Sequence, residues 1–142
     1  MLAWRDDMSS GHHGIDNANK QLIARIVQFE KALATSGTRT AIGLFLTGLY
    51  EQTAIAFSHE EHVQRECAFP FLEAHARAHA AMLKSLSDLT DRYAEMDVRT
   101  DPGPLLHDLA GLIKPWITEH IPKDDSRLKL HWLRTHGVFL KG

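Results

Sequence analysis

Apolar residues recur along this chain at intervals of three and four, in four stretches separated by Gly, Pro and Asp. That spacing belongs to helices that bury one face. The first stripe is Ile15, Leu22, Ile23, Ile26, Phe29 and Leu33, on a helix over about 17–36 that Asp16 is placed to cap and Ser36-Gly37 to end. The second is Ile42, Phe45, Leu49, Ala56, Val63 and Cys67, on a helix over about 39–67. Phe69-Pro70 breaks the pattern, and Pro70 suits the first turn of a third helix reaching about 95, with Leu72, Met82, Leu83, Leu86 and Leu89 inward. After the turn-rich Asp97–Gly103 loop, a fourth helix over about 104–121 carries Leu105, Leu109, Leu112, Ile113, Trp116 and Ile117. Pro115 falls inside it and predicts a kink, and Pro122 ends or kinks it again. Leu128–Phe139 suits a short terminal helix with Trp132 docking on the bundle. Ahead of the first helix, residues 1–15 read as an extended arm anchored by Trp4, with Ser9-Ser10-Gly11-His12-His13-Gly14 too glycine-rich to be helical. The prediction is an all-α, up-down-up-down four-helix bundle with an N-terminal arm, a single domain over residues 1–142.

Several polar residues interrupt those stripes. Glu60 lies between Ala56 and Val63, His75 and His79 lie among the leucines of the third helix, Asn19 lies on the first stripe, and His120 continues the fourth. Thr53 also faces inward, but a threonine hydroxyl can bond the carbonyl one turn back. A core-facing carboxylate cannot, and needs a proton, a cation or a metal. Two imidazoles four residues apart project side by side, the arrangement of a shared metal ion. Taken alone, the pair also suits two satisfied or edge-exposed histidines. Topology decides between the readings. In this bundle the starts of helices one and three and the ends of two and four share one end, so Asn19, Glu60, His75, His79, His120 and Asp125 fall in one layer. Three histidines and two carboxylates there form a candidate iron, manganese or zinc site.

Composition changes the picture little. Hydrophobic residues at 44%, charged residues at 24% and a net charge of −2 suit a globular chain and give no reason to invoke nucleic acid. One cysteine excludes an internal disulfide and fits a reducing compartment. The start of the chain lacks the parts of a signal peptide, and no apolar run approaches about 18 residues, so a cytoplasmic protein without a membrane partner is expected. Ten histidines are the one unusual feature.

At these positions the chain resembles the hemerythrin family, in particular the bacterial hemerythrins. The resemblance rests on Trp4, Gly11 and Ile15-Asp16 in the arm, Phe57 with Glu60-Glu61, Phe69-Pro70 before His75-x-x-x-His79, and Trp116-x-x-x-His120-Ile121-x-x-x-Asp125. It implies two non-haem irons, one held by His75, His79 and His120, with Glu60 and Asp125 bridging to the other. It also implies a binding protein, not an enzyme, with dioxygen or another small diatomic molecule as ligand. The second iron takes one histidine from each of the first two helices, and its open position binds dioxygen. Here the sequence departs from the family, with Asn19 and Ala56 where those two histidines are expected. Both losses fall on the same metal. His59 sits about 70° from the centre of the inward stripe and could swing in, whereas His62 points about 130° away. His12 and His13 lie at the same end of the bundle. Cys67, about 10 Å beyond Glu60, reads as a packing residue, and His107, His131 and His136 read as surface residues. The expectation is a redox or diatomic-gas sensing or binding protein with an altered, one-metal site. The alternatives are a dioxygen carrier or store whose di-iron centre is completed by non-standard ligands, and a bundle merely stabilised by zinc.

Overall fold

The computed structural model describes residues 3–36 and 38–134, and the side chains of all of these except 34–36, 125 and 126. All regular structure among them is helical. A 3₁₀ turn at Asp6–Met8 precedes α1 (His13–Ser36), α2 (Arg39–Glu66), α3 (Leu72–Ala94) and α4 (Gly103–Pro115). A π-helical segment, Trp116–Asp125, then leads into α5 (Ser126–Trp132). Helix α2 packs on α1 and α3, and α3 packs on α4, which makes the expected four-helix bundle. Its main core is formed by the predicted stripes, among them Leu22, Ile23, Ile26, Leu46, Leu86, Leu105 and Ile113. A smaller cluster of Ile15, Val63, Cys67, Phe69 and Leu128, with Trp132 against it, closes one end. Among the described residues no helix is long and apolar enough to cross a membrane.

The start of α1 corrects the sequence expectation. The helix begins at His13, not near residue 17, so Asp16 sits in its first turn and does not cap it. His12 does the capping, since its Nδ1 accepts from the backbone N–H of Ile15 at 3.3 Å. Burial, and then the neighbouring His59, lower the His12 pKa, which favours the neutral ring that this bond needs. The Asp16 carboxylate instead draws in the arm, accepting from Ser9 Oγ at 2.6 Å and from the N and Oγ of Ser10, each at 2.7 Å. The arm is therefore folded back, with Ser10 fully buried. Gly14, expected to break the helix, lies inside it, where a Cβ would meet His59 Nε2 at 2.9 Å.

Further boundaries position the site. Helix α2 starts on the Thr38 hydroxyl, which accepts from Ala41 N at 3.1 Å. It ends with Ala68 in the left-handed region (φ 52°), where Phe69 N bonds Gln64 O at 2.8 Å and Ala68 N bonds Arg65 O at 3.2 Å. This paired bonding is the Schellman arrangement, here without its usual glycine. It drives Phe69 into the end cluster beside Val63 and turns the chain sharply into α3. That helix starts at Leu72 and not at Pro70. Pro115 ends α4 not with a simple kink but with a change of register, and the i→i+5 bonding of the π-helical segment follows at once. The terminal helix begins slightly earlier than expected, Trp132 does pack on the end cluster, and residues 135–139 of the expected element lie outside the described residues.

Candidate metal centre

Three imidazoles converge at the closed end of the bundle. One ring nitrogen each from His75, His79 and His120 lies within 4.8 Å of the others. His75 and His79 are four apart on the buried face of α3, and His120 comes from the π-helical segment. Glu60, on α2, brings its carboxylate among them: Oε1 lies 3.0 Å from His75 Nε2, and Oε2 lies 3.9 Å from His79 Nε2. Glu60 is 2% exposed and His79 1%.

Each imidazole is held by a polar group on its outer nitrogen and by its neighbours. His79 Nδ1 faces Glu61 Oε2 at 3.0 Å, and His120 Nδ1 faces Asp124 Oδ2 at 2.7 Å. Gln64 Nε2 lies 3.1 Å from His75 Nδ1 and donates to Glu60 Oε1 at 3.3 Å. Phe57 stacks flat on His79 at 3.8 Å, and Trp116 stacks on His120 at 3.6 Å. A carboxylate behind an imidazole fixes the tautomer with Nε2 as the electron-pair donor and strengthens that donor. The wide π turn has a definite use here. It carries Trp116 stacked on His120 and Asp124 bonded to the same ring.

Burial, followed by the charges of His75 and His120, lowers the His79 pKa to about 2. Its ring is therefore neutral at ordinary pH, and its buried Nε2 has no hydrogen-bond partner. A lone pair aimed into a cluster of nitrogens and a carboxylate is what a cation would satisfy. Three nitrogens spread about one ion at about 2.1 Å stand about 3.0–3.6 Å apart, so a cluster within 4.8 Å closes on an ion with shifts of about 1–2 Å. Imidazole and carboxylate suit iron, zinc or manganese. The residues fit a metal.

No family model matches the chain. Curated relatives do: the bacteriohemerythrins of Pseudomonas aeruginosa and Pseudomonas paraeruginosa are each 29% identical to it over 126 residues, covering 88% of this chain and 77% of the relative. The chain is hemerythrin-like. Its all-helical fold and histidine cluster agree with that likeness, and the cluster could hold a metal ion.

The other candidate residues of this hemerythrin-like chain divide by place. Asn19 and Ala56 are both buried on the inward faces of α1 and α2. His59 is exposed and turned towards the arm, its ring 5.6 Å from that of His12, which in turn packs at 4.9 Å on Trp132. The structure thus places His59 against His12 and Gly14 and not beside His79, while His13 is exposed. The backbone of Asp125 closes the π-helical segment, but its side chain lies outside the described residues. His62 is solvated as expected and pairs with Glu66 at 3.0 Å. Cys67 is buried in the end cluster, and burial pushes its thiol pKa up, as befits a packing residue. His131 corrects the expectation of a surface residue: it is half-buried, its Nε2 bonds the Cys67 carbonyl, and its ring meets Phe69 at 5.8 Å. His136 lies outside the described residues. Sequence reasoning missed Gln64, and the roles of Glu61 and Asp124. The signal was present, since Gln64 stands one turn beyond Glu60 on the same face, and Asp124 repeats the Trp116–His120 spacing.

Proposed function

We propose that this chain holds one non-haem iron ion through His75, His79 and His120, with Glu60 and Asp125 completing the ligand set, and that it binds or senses dioxygen or a similar diatomic molecule. The observation that supports this reading is the convergence of three oriented imidazoles on the buried Glu60 carboxylate, while positions 19 and 56 carry no imidazole. When bound, iron supplies a change of oxidation state and an open coordination position. The chain's own residues do the rest. Glu61 and Asp124 hold the protons of His79 and His120 on the outer nitrogens, and Phe57 and Trp116 keep both rings in plane and exclude water. A pocket of about 90 Å³ between Ala74, Ala78 and Arg127 reaches His75 and His120, which is room for a water or a diatomic ligand. Reversible carriage of dioxygen needs two electrons from two irons. With Asn19 and Ala56 at the second metal's positions and His59 turned to the arm, the single-ion role is the better supported. Zinc in the same ligand set would argue for stabilisation of the bundle only. The test is metal identity and count per chain in protein purified without added metal, with optical spectra and melting before and after chelation. One iron without an oxo-bridge band, and a melting temperature several degrees lower after chelation, is the expected result. Two irons with that band would establish the carrier, zinc the structural module, and unchanged melting after verified metal removal would remove the site.

A further inference from the structure

Gln64 is fully buried, one turn beyond Glu60 on α2. Its amide nitrogen faces both His75 Nδ1 and Glu60 Oε1, while its amide oxygen has no hydrogen-bond partner. A buried carbonyl without a donor is expensive, so the amide is held in this orientation by what its nitrogen does. That orientation goes with one pattern of protons. In it His75 Nδ1 would present a lone pair to the amide N–H, and the ring proton would stand on Nε2, which lies 3.0 Å from Glu60 Oε1. An imidazole in this tautomer cannot give its Nε2 lone pair to a metal.

Once Nε2 gives that lone pair away, the ring proton resides on Nδ1. The amide N–H would then face another N–H. We infer that Gln64 is the positioning residue of His75, and that its amide turns over when a metal binds. The inference rests on the ligand set proposed above. After the turn, Gln64 Oε1 accepts from His75 Nδ1–H, and the NH₂ group leaves Glu60 Oε1, releasing that oxygen for the ion. His79 and His120 need no such turn, because Glu61 and Asp124 offer them acceptor oxygens only. Of these three groups, the amide alone serves both tautomers. The site is therefore preset at two imidazoles and convertible at the third.

The test uses zinc as a diamagnetic probe, with ¹H–¹⁵N ring correlations that read the His75 tautomer and chelator competition that reads affinity for zinc and for ferrous iron. In the unsubstituted chain His75 is expected to carry Nε2–H without metal and Nδ1–H with zinc. Gln64→Leu removes the acceptor and should cost about 10–100-fold in affinity for both metals. Gln64→Glu offers an acceptor only, so its affinity should stay within about threefold of the parent or rise. In that variant His75 should carry Nδ1–H even without metal. The Gln64→Glu tautomer readout keeps the inference exposed if Gln64→Leu fails to fold. The same His75 tautomer with and without zinc, parental affinity in Gln64→Leu, or Nε2–H in metal-free Gln64→Glu would each overturn the inference alone. A parent chain that takes up neither metal overturns the ligand set as well.

Discussion

Acid should weaken the metal-free protein through His79, by an amount the structure sets. The folded state holds this ring neutral, with its pKa lowered to about 2 first by burial and then by its two imidazole neighbours. The unfolded chain returns it to the ordinary value near 6.5. A histidine depressed in this way binds fewer protons when folded than when unfolded. Its contribution to stability is therefore fully present above about 6.5 and is lost as pH falls through the window from there towards 2. Each unit within that window costs the native state about 1.4 kcal/mol. Between pH 7 and pH 5 the loss is about 2 kcal/mol, which for a chain of this size lowers the melting temperature by roughly 4–8 °C. The assay is circular-dichroism melting of chelated protein at both pH values, for the parent and for His79→Gln. Glutamine cannot titrate, so the variant should be less stable at pH 7 but should lose about 2 kcal/mol less on acidification. Equal acid sensitivity in the two proteins would show that His79 is not the group the native state keeps neutral.

Two other variants probe the site and its approach. Asn19→His with Ala56→His restores imidazole where the resemblance expects the second iron's ligands, and should raise iron from about one to about two per chain with a new oxo-bridge band; an unchanged iron count counts against the half-site reading. Ala68→Gly relieves the left-handed backbone at the end of α2 and should stabilise the protein by about 1 kcal/mol, seen as a higher urea midpoint at constant slope; a lower midpoint would mean that the turn depends on the alanine methyl group.

Much of this architecture was legible because period and topology are both written locally. The inward stripes needed only their spacing of three and four, and Glu60, His75 and His79 stood out by interrupting them. The α1 start was misjudged because Gly11 and Gly14 read as breakers, when one makes the turn at φ 83° and the other makes room for His59. Pro115 signalled a disturbance, but whether a helix kinks or widens depends on what packs on the next turn. Here that is the Trp116–His120 stack. Gln64 escaped notice because a glutamine on an apolar stripe has no meaning until the turn at Ala68 and Phe69 brings α3 back and sets His75 beside it.

The division of the apolar interior into two clusters would set how an ion gets in and out. The imidazoles lie at the end that the smaller cluster closes, and that cluster is built from the first turn of α1, the last of α2, Phe69 and α5. These pieces form an apolar cluster separate from the long stripes of the main core, which favours their parting locally. Loading and extraction of a bound ion should then proceed through a local opening, and a chelator should empty the site while most helical signal survives. Exchange should accelerate when Leu128 or Trp132 is truncated, long before the melting point of the bundle is reached. In that sense the short terminal helix is expected to act as the stopper of the vessel: it supplies none of the three imidazoles, and it should govern the residence time of an ion they hold.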